Sequence, residues 1–189
     1  MIFAWTPHRF AGGALALDVA NSVVLRGAPE RRIDRYADPK TMDAFAAGAN
    51  AHCAERAQTG PLAAVVPERR AAFIELREAI DGHFRAEASG EGTPALLARL
   101  LEAIAGTLRQ SGQVQHALDT ATAHSALRLT VHAEPERLKI CPNCGWLFLD
   151  KSRNRSRAWC DMAVCGNRVK ASRHYRRRRP EGIATEDTP

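Results

Sequence analysis

No apolar run in this 189-residue chain approaches the roughly 20 residues of a membrane-spanning helix; charge or glycine breaks each one well short of that. A basic leader is missing too. The N-terminus reads Met1-Ile2-Phe3-Ala4-Trp5-Thr6-Pro7-His8-Arg9, and Asp18 interrupts the apolar stretch behind it. Export is therefore not expected, and the cytoplasm is the simplest address. The chain also lacks a phosphate loop, a Ser/His/Asp or Cys/His constellation and a paired-carboxylate spacing. His52 and Cys53 are neighbours on an expected helix and so point to different faces. An enzyme is not expected. No internal repeat is present, and Arg176–Arg179 is the one low-complexity tract. With 45% hydrophobic and 25% charged residues, the composition is that of a folded globular protein.

Acidic residues are scarce in one region. Residues 137–179 hold 13 Lys and Arg against only Asp150 and Asp161, a charge of +11, whereas residues 1–136 carry −2 and residues 180–189 carry −3. The whole excess that gives the chain its +6 thus sits in one short segment. A solvated basic face would account for solubility. Concentration of the charge in one place is the footprint of a surface that meets phosphates.

The same segment holds four of the five cysteines, as Cys141-Pro142-Asn143-Cys144 and Cys160-x4-Cys165. Two close pairs of thiolates across a loop suit a closed tetrahedral Zn²⁺ site. A redox role for the first pair lacks the surrounding βαβ pattern, and disulfides are disfavoured in a reducing compartment, with Cys53 left over by count. Four thiolates leave no open coordination position, so the expected zinc is structural. His174 lies nine residues past Cys165, more than two helical turns, and reads as a surface residue.

Upstream, residues 13–26 (GALALDVANSVVLR) carry Leu15, Ala16, Val19 and Val23 at helical spacing, and residues 27–37 read as loop. Asp38-Pro39 opens a helix expected to run to about residue 57. Pro67 opens another with Phe73, Leu76, Ile80 and Phe84 on one stripe, and Thr93-Pro94 a third, reaching about Gln110. Residues 119–133 fit a strand through Leu127, Leu129 and Val131, but a helix fits better. These segments predict an orthogonal helical bundle over residues 1–136, so the fold class is mainly α. Residues 137–179 are too few to fold on apolar burial alone and would draw stability from the metal. A knuckle, a β-hairpin through Trp146–Leu149 and a final helix predict a small treble-clef-like zinc finger, with the last ligand at the helix N-terminus. Residues 180–189 form an acidic tail expected to be flexible.

The run Cys141-Pro142-Asn143-Cys144-Gly145-Trp146-Leu147-Phe148-Leu149-Asp150, then Ser152-Arg153-Asn154, then Trp159 through Arg168 with a literal Cys165-Gly166-Asn167-Arg168, resembles the CGNR zinc-finger family. Lys170, Arg173, His174 and Tyr175 continue the likeness. Leu15-Ala16-Leu17-Asp18-Val19-Ala20-Asn21-Ser22 is similar to the opening of the ABATE domain, the usual N-terminal partner of that finger. The resemblance implies a stress-induced transcription regulator in which a DNA-binding finger is joined to a helical sensor or regulatory domain.

Candidate residues follow. Cys141, Cys144, Cys160 and Cys165 are the expected metal ligands. Arg153, Arg155 and Arg157 alternate across a turn and would project to one side, and Lys170, Arg173 and Arg177 make a stripe along the final helix, with Arg176 beside it. All suit phosphate contacts, and an arginine on such a helix can also read guanine in a major groove. Arg168 either contacts nucleic acid or braces the finger through Asp150 or a backbone carbonyl. Trp146 and Trp159 read as the finger's apolar core rather than base-stacking platforms. Asp18 and Asn21 share a helix face in an apolar stretch, either as part of a ligand pocket or as buried structural hydrogen-bonding groups. The expected partner is DNA, with a small-molecule or protein signal at the helical domain and a homodimer as a means to double the readout. RNA binding by the same finger and a protein-interaction adaptor with a purely structural zinc module are the alternatives.

Overall fold

Leu15–Ala20 forms a helix (α1) with all of its residues fully buried, Asp18 included. A helix this short has no independent stability and persists only through what surrounds it. The computed structural model, which describes residues 3–110, 116–132 and 134–178, places α1 at the centre of the molecule. Its first N–H groups find no cap in the preceding chain and bond across the fold instead. Leu15 donates to Glu55 Oε2 at 2.7 Å and Ala16 to Ser125 Oγ at 3.0 Å.

The helix expected over 13–26 is thus shorter. After Ala20 the chain turns, and Val23–Val24 (β1) pairs antiparallel with Ile33–Asp34 (β2), inside the segment read as loop. Two interactions cause the difference. Asn21 directs its side chain to a neighbouring strand, and the Ser22 carbonyl accepts from Arg35 N–H. The β-branched pair Val23-Val24 then suits an extended backbone. Buried Arg77 fastens this ribbon to the core, bonding both Asp34 oxygens at 2.7 Å with its face near Tyr36.

The remaining helices follow the punctuation of the sequence. Asp38 caps Pro39–His52 (α2) by accepting from Lys40 N–H; the helix stops at His52 rather than 57, and a single turn, Arg56–Thr59 (α3), follows. Arg70–Ser89 (α4) begins after a 3₁₀ turn at Pro67–Arg69 and ends at Gly90 in the left-handed region. Pro94–Gln110 (α5) and Leu118–His132 (α6) complete a helical bundle around α1, and the ambiguous segment is helix over its described residues 119–132.

Leu138–Ile140 (β3) and Leu147–Leu149 (β4) form an antiparallel hairpin that turns at the first cysteine pair rather than at the basic residues 151–157, and Asn167–Arg178 (α7) is the final helix expected of the finger. One face of the hairpin joins the core of the bundle. Leu138 and Leu147 pack in the same cluster as α1. Asn21 clasps the backbone of one residue of β4: its Nδ2 donates to the Leu147 carbonyl and its Oδ1 accepts from the Leu147 N–H, both at 2.9 Å. Leu149 N–H bonds the Gly12 carbonyl, while Gly12 N–H bonds Asp18 Oδ1. One residue therefore links the α1 carboxyl to the β4 edge. A side chain at Gly12 would run into Asp18, with its Cβ 2.7 Å from Oδ1. Residues 180–189 lie outside the described residues. Among the described residues no helix is long and apolar enough to cross a membrane.

Two outcomes are expected. Asn21→Ala leaves the buried Leu147 N–H and carbonyl without partners, and chemical denaturation should show a loss of about 2–4 kcal/mol. Burial raises the Asp18 carboxyl to about 8. The folded chain therefore keeps a proton that the unfolded chain releases near pH 4, so this contribution is full below that pH and is lost as pH rises through 8. Asp18→Asn should raise the melting temperature at pH 9 by on the order of 5 °C relative to the parent and change it little at pH 5. An equal effect at both pH values would show that the carboxyl is ionised throughout.

Candidate metal centre and nucleic-acid interface

The hairpin turn brings Cys141 and Cys144 together. Gly145, at φ +73°, lets the chain reverse, and Cys141 N–H bonds the Trp146 carbonyl while Gly145 N–H bonds the Cys141 carbonyl. The other two cysteines stand on either side of Asp161, whose carboxylate caps the wide turn Met162–Gly166 by accepting from the Ala163 and Val164 N–H groups. Cys165 sits at the end of that turn, directly before α7.

All four sulfurs lie within 4.8 Å of one another. Cys144 Sγ and Cys160 Sγ are 3.5 Å apart, and Cys160 Sγ and Cys165 Sγ 3.6 Å. Disulfides need about 2.0 Å. Four sulfurs at about 2.3 Å from a tetrahedral Zn²⁺ stand about 3.8 Å apart, so these spacings fit zinc. Cys141, Cys160 and Cys165 are buried and Cys144 half-buried. With thiols this close, hydrogen bonds from Cys144 and Cys160 favour a thiolate at Cys141. Bonding to that thiolate raises the Cys144 thiol to about 12 and pushes Cys160 up as well. A dication is what would allow all four to ionise together. The site is closed, a structural zinc centre. Trp146 and Phe148 pack around the sulfurs with Trp159 beside them, the apolar core expected of the tryptophans.

Asp150 organises the basic turn that follows. It is fully buried and accepts from Lys139 Nζ at 2.7 Å and from the Ser152 and Arg157 N–H groups at 2.9 Å. Burial opposes its charge, yet these donors hold its carboxyl well below the usual range. Arg137 binds the Asp150 and Ser152 carbonyls. Neither Lys139 nor Arg137 stood out in the sequence, although Lys139 on β3 and Arg137 just before it alternate along the chain and so share the face of Asp150.

The arginines of this turn do not share a side. Residues 151–158 leave the strand as an irregular turn. Arg157 folds inward: its Nε donates to the Trp159 carbonyl at 2.8 Å, its terminal nitrogen to the Cys160 carbonyl, and its guanidinium lies over Phe148. It braces the metal loop and leaves the candidate interface. Arg155 pairs with Glu134 at 2.9 Å and Glu136 at 2.6 Å. Arg153, Arg168 and Lys170 are exposed and have no hydrogen-bond or ion-pair partner among the described residues. Arg168 thus does not brace Asp150; Lys139 does. Arg173, Arg176 and Arg177 lie within α7, their side chains outside the described part.

Asp18 and Asn21 both bond backbone groups, Gly12 and Leu147, which is the structural alternative considered for them. The N-terminal segment also reaches the finger, which the sequence did not signal. His8 Nδ1 lies 2.9 Å from Asp161 Oδ2, and Arg9 lies 5.5 Å from the Trp146 ring centroid.

One zinc per chain is expected by atomic emission, with a single slowly reacting thiol, Cys53, in the loaded protein and all five reactive after chelation and unfolding. Cys160→Ser should lose the metal and lower the melting temperature. Retention of zinc by that variant would contradict the four-thiolate assignment.

Comparison with known families places these features. Residues 137–178 match the family described as CGNR zinc finger. Residues 13–139, more than half of the chain, match the family described as "Putative stress-induced transcription regulator", ABATE. No curated protein matches the chain.

Proposed function

We propose that this chain, which belongs to the ABATE family and carries a CGNR zinc finger, is a DNA-binding transcription regulator and not an enzyme. The observation that carries the reading is the charge of +11 over residues 137–179 on a metal-built scaffold, with Arg153, Arg168 and Lys170 on its surface without a partner among the described residues. Internal partners hold Arg137, Lys139, Arg155 and Arg157 in place. The unpaired cations meet backbone phosphates, displacing counterions, and α7 supplies the element narrow enough for a major groove.

Signal sensing falls to the helical part. A cleft of about 320 Å³ lies where α3 and α6 meet the finger, with Leu129 on one wall, Leu149 on the other, and Arg128 and Lys151 among its polar groups. A molecule bound there would touch both parts at once, so it would bias how the finger is held. The protein acts in the cytoplasm on this reading.

Zinc-loaded chain should bind duplex DNA with steep salt dependence. Arg153→Gln, Arg168→Gln and Lys170→Gln should each lower the slope of log affinity against log salt by about 0.9, without altering zinc content. Stronger binding to RNA than to duplex DNA would transfer the reading to RNA, and binding to neither would leave the finger a scaffold for a protein partner.

A further inference from the structure

Three arginines gather where the N-terminal segment meets the finger. Arg9 and Arg35 both lie over the ring of Phe3, their guanidinium carbons 5.3 and 4.1 Å from its centroid, and Arg9 also flanks Trp146. Arg168, from the CGNR signature, is near enough that its charge and that of Arg35 both disfavour protonation of Arg9, which burial disfavours already. Like charges repel, and gathering three of them raises the local attraction for an anion.

None of the three pairs with a carboxylate among the described residues. Other arginines of the chain do so closely: Arg26 with Glu78, Arg70 with Asp43, Arg77 with Asp34 and Arg85 with Asp81. The metal centre offers a partial counter-charge, since four thiolates around a dication leave a net negative site and Cys144 favours the charged form of Arg9. That accounts for one guanidinium. Burial alone acts on Arg35, and its Nε is buried without a hydrogen-bond partner among the described residues. Stacking on Phe3 holds the Arg35 plane in place, so its donors are oriented before any anion arrives.

We infer that Arg9, Arg35 and Arg168 form a composite oxyanion site that takes one phosphate group. On the DNA reading above, with which this inference is linked, that phosphate belongs to the duplex backbone. The helical part then supplies two of the three contacts, and the DNA surface extends beyond the finger. A site of this make-up positions the duplex against the finger and carries no sequence information of its own.

The test needs no nucleic acid at first. Zinc-loaded full-length chain is titrated with sodium sulfate at constant ionic strength against sodium chloride, and the arginine Nε–Hε resonances are followed. Sulfate serves as a tetrahedral oxyanion that does not strip zinc. The Arg35 signal should shift saturably, and the shift should vanish in Arg9→Gln. A linear response equal to that of chloride would overturn the site. In DNA titrations, Arg35→Gln should lower the salt slope by about 0.9 and weaken all duplex sequences alike. An unchanged slope in a variant with normal zinc content would overturn its role on DNA. Should the parent chain bind no DNA while Arg35 still answers to sulfate, the oxyanion site stands and the DNA reading alone fails.

Discussion

A single side-chain amide, that of Asn21, sets the relation between the two parts of the molecule. Its donor and acceptor match the C=O and N–H of one residue of β4, Leu147, so it behaves like one residue of an added strand. Because Asn21 ends a helix whose residues are all buried, it cannot move without moving the core. Leu149 N–H on the Gly12 carbonyl makes a second tie, and the Gly12 N–H on Asp18 returns that tie to the same helix. Polar groups inside an apolar interior are costly unless matched, and here the matching partner is the finger. The finger's hairpin thus completes the hydrogen bonding of the helical part, while the bundle covers Leu138 and Leu147.

Two kinds of basic residue result. Arg137, Lys139 and Arg157 hold carbonyls and the Asp150 carboxylate, and they shape the loop that presents the metal ligands. Arg153, Arg168 and Lys170 stand outside. Net charge alone counts both kinds equally, yet only the second is available to a polyanion. Shape at the metal centre and charge at the surface are therefore carried by different residues of the same short segment.

Much of this was legible in the sequence because the signals are local. Asp38-Pro39, Pro67 and Thr93-Pro94 each open a helix or the turn before one, and cysteine spacing defined the metal ligands that the fold brings within 4.8 Å. The misses come from hydrogen bonds that periodicity does not encode. Residues 21–26 have helical periodicity, but Asn21 and Ser22 bond to β4 and to Arg35, partners whose positions local pattern does not encode. Arg157 alternates with Arg153 and Arg155, yet the free carbonyls of the metal loop draw it inward. His8 and Arg9 looked like an unremarkable terminus and proved to be packed against the finger, a contact 153 residues apart in sequence for His8 and Asp161. Hydrogen bonds to distant residues decided the first and the last, local ones to Trp159 and Cys160 decided Arg157, and none leaves a periodic trace.

Native-state hydrogen exchange of the Leu147 and Leu149 amides against those of α1 addresses the shared architecture most directly. If the bundle and the finger are one cooperative unit, these amides in the zinc-loaded chain exchange only with the slowest of the α1 amides and share their denaturant dependence. Rapid exchange of Leu147 and Leu149 while α1 stays protected would mean that the finger opens alone, contradicting the account in which Asn21 fixes it to the core.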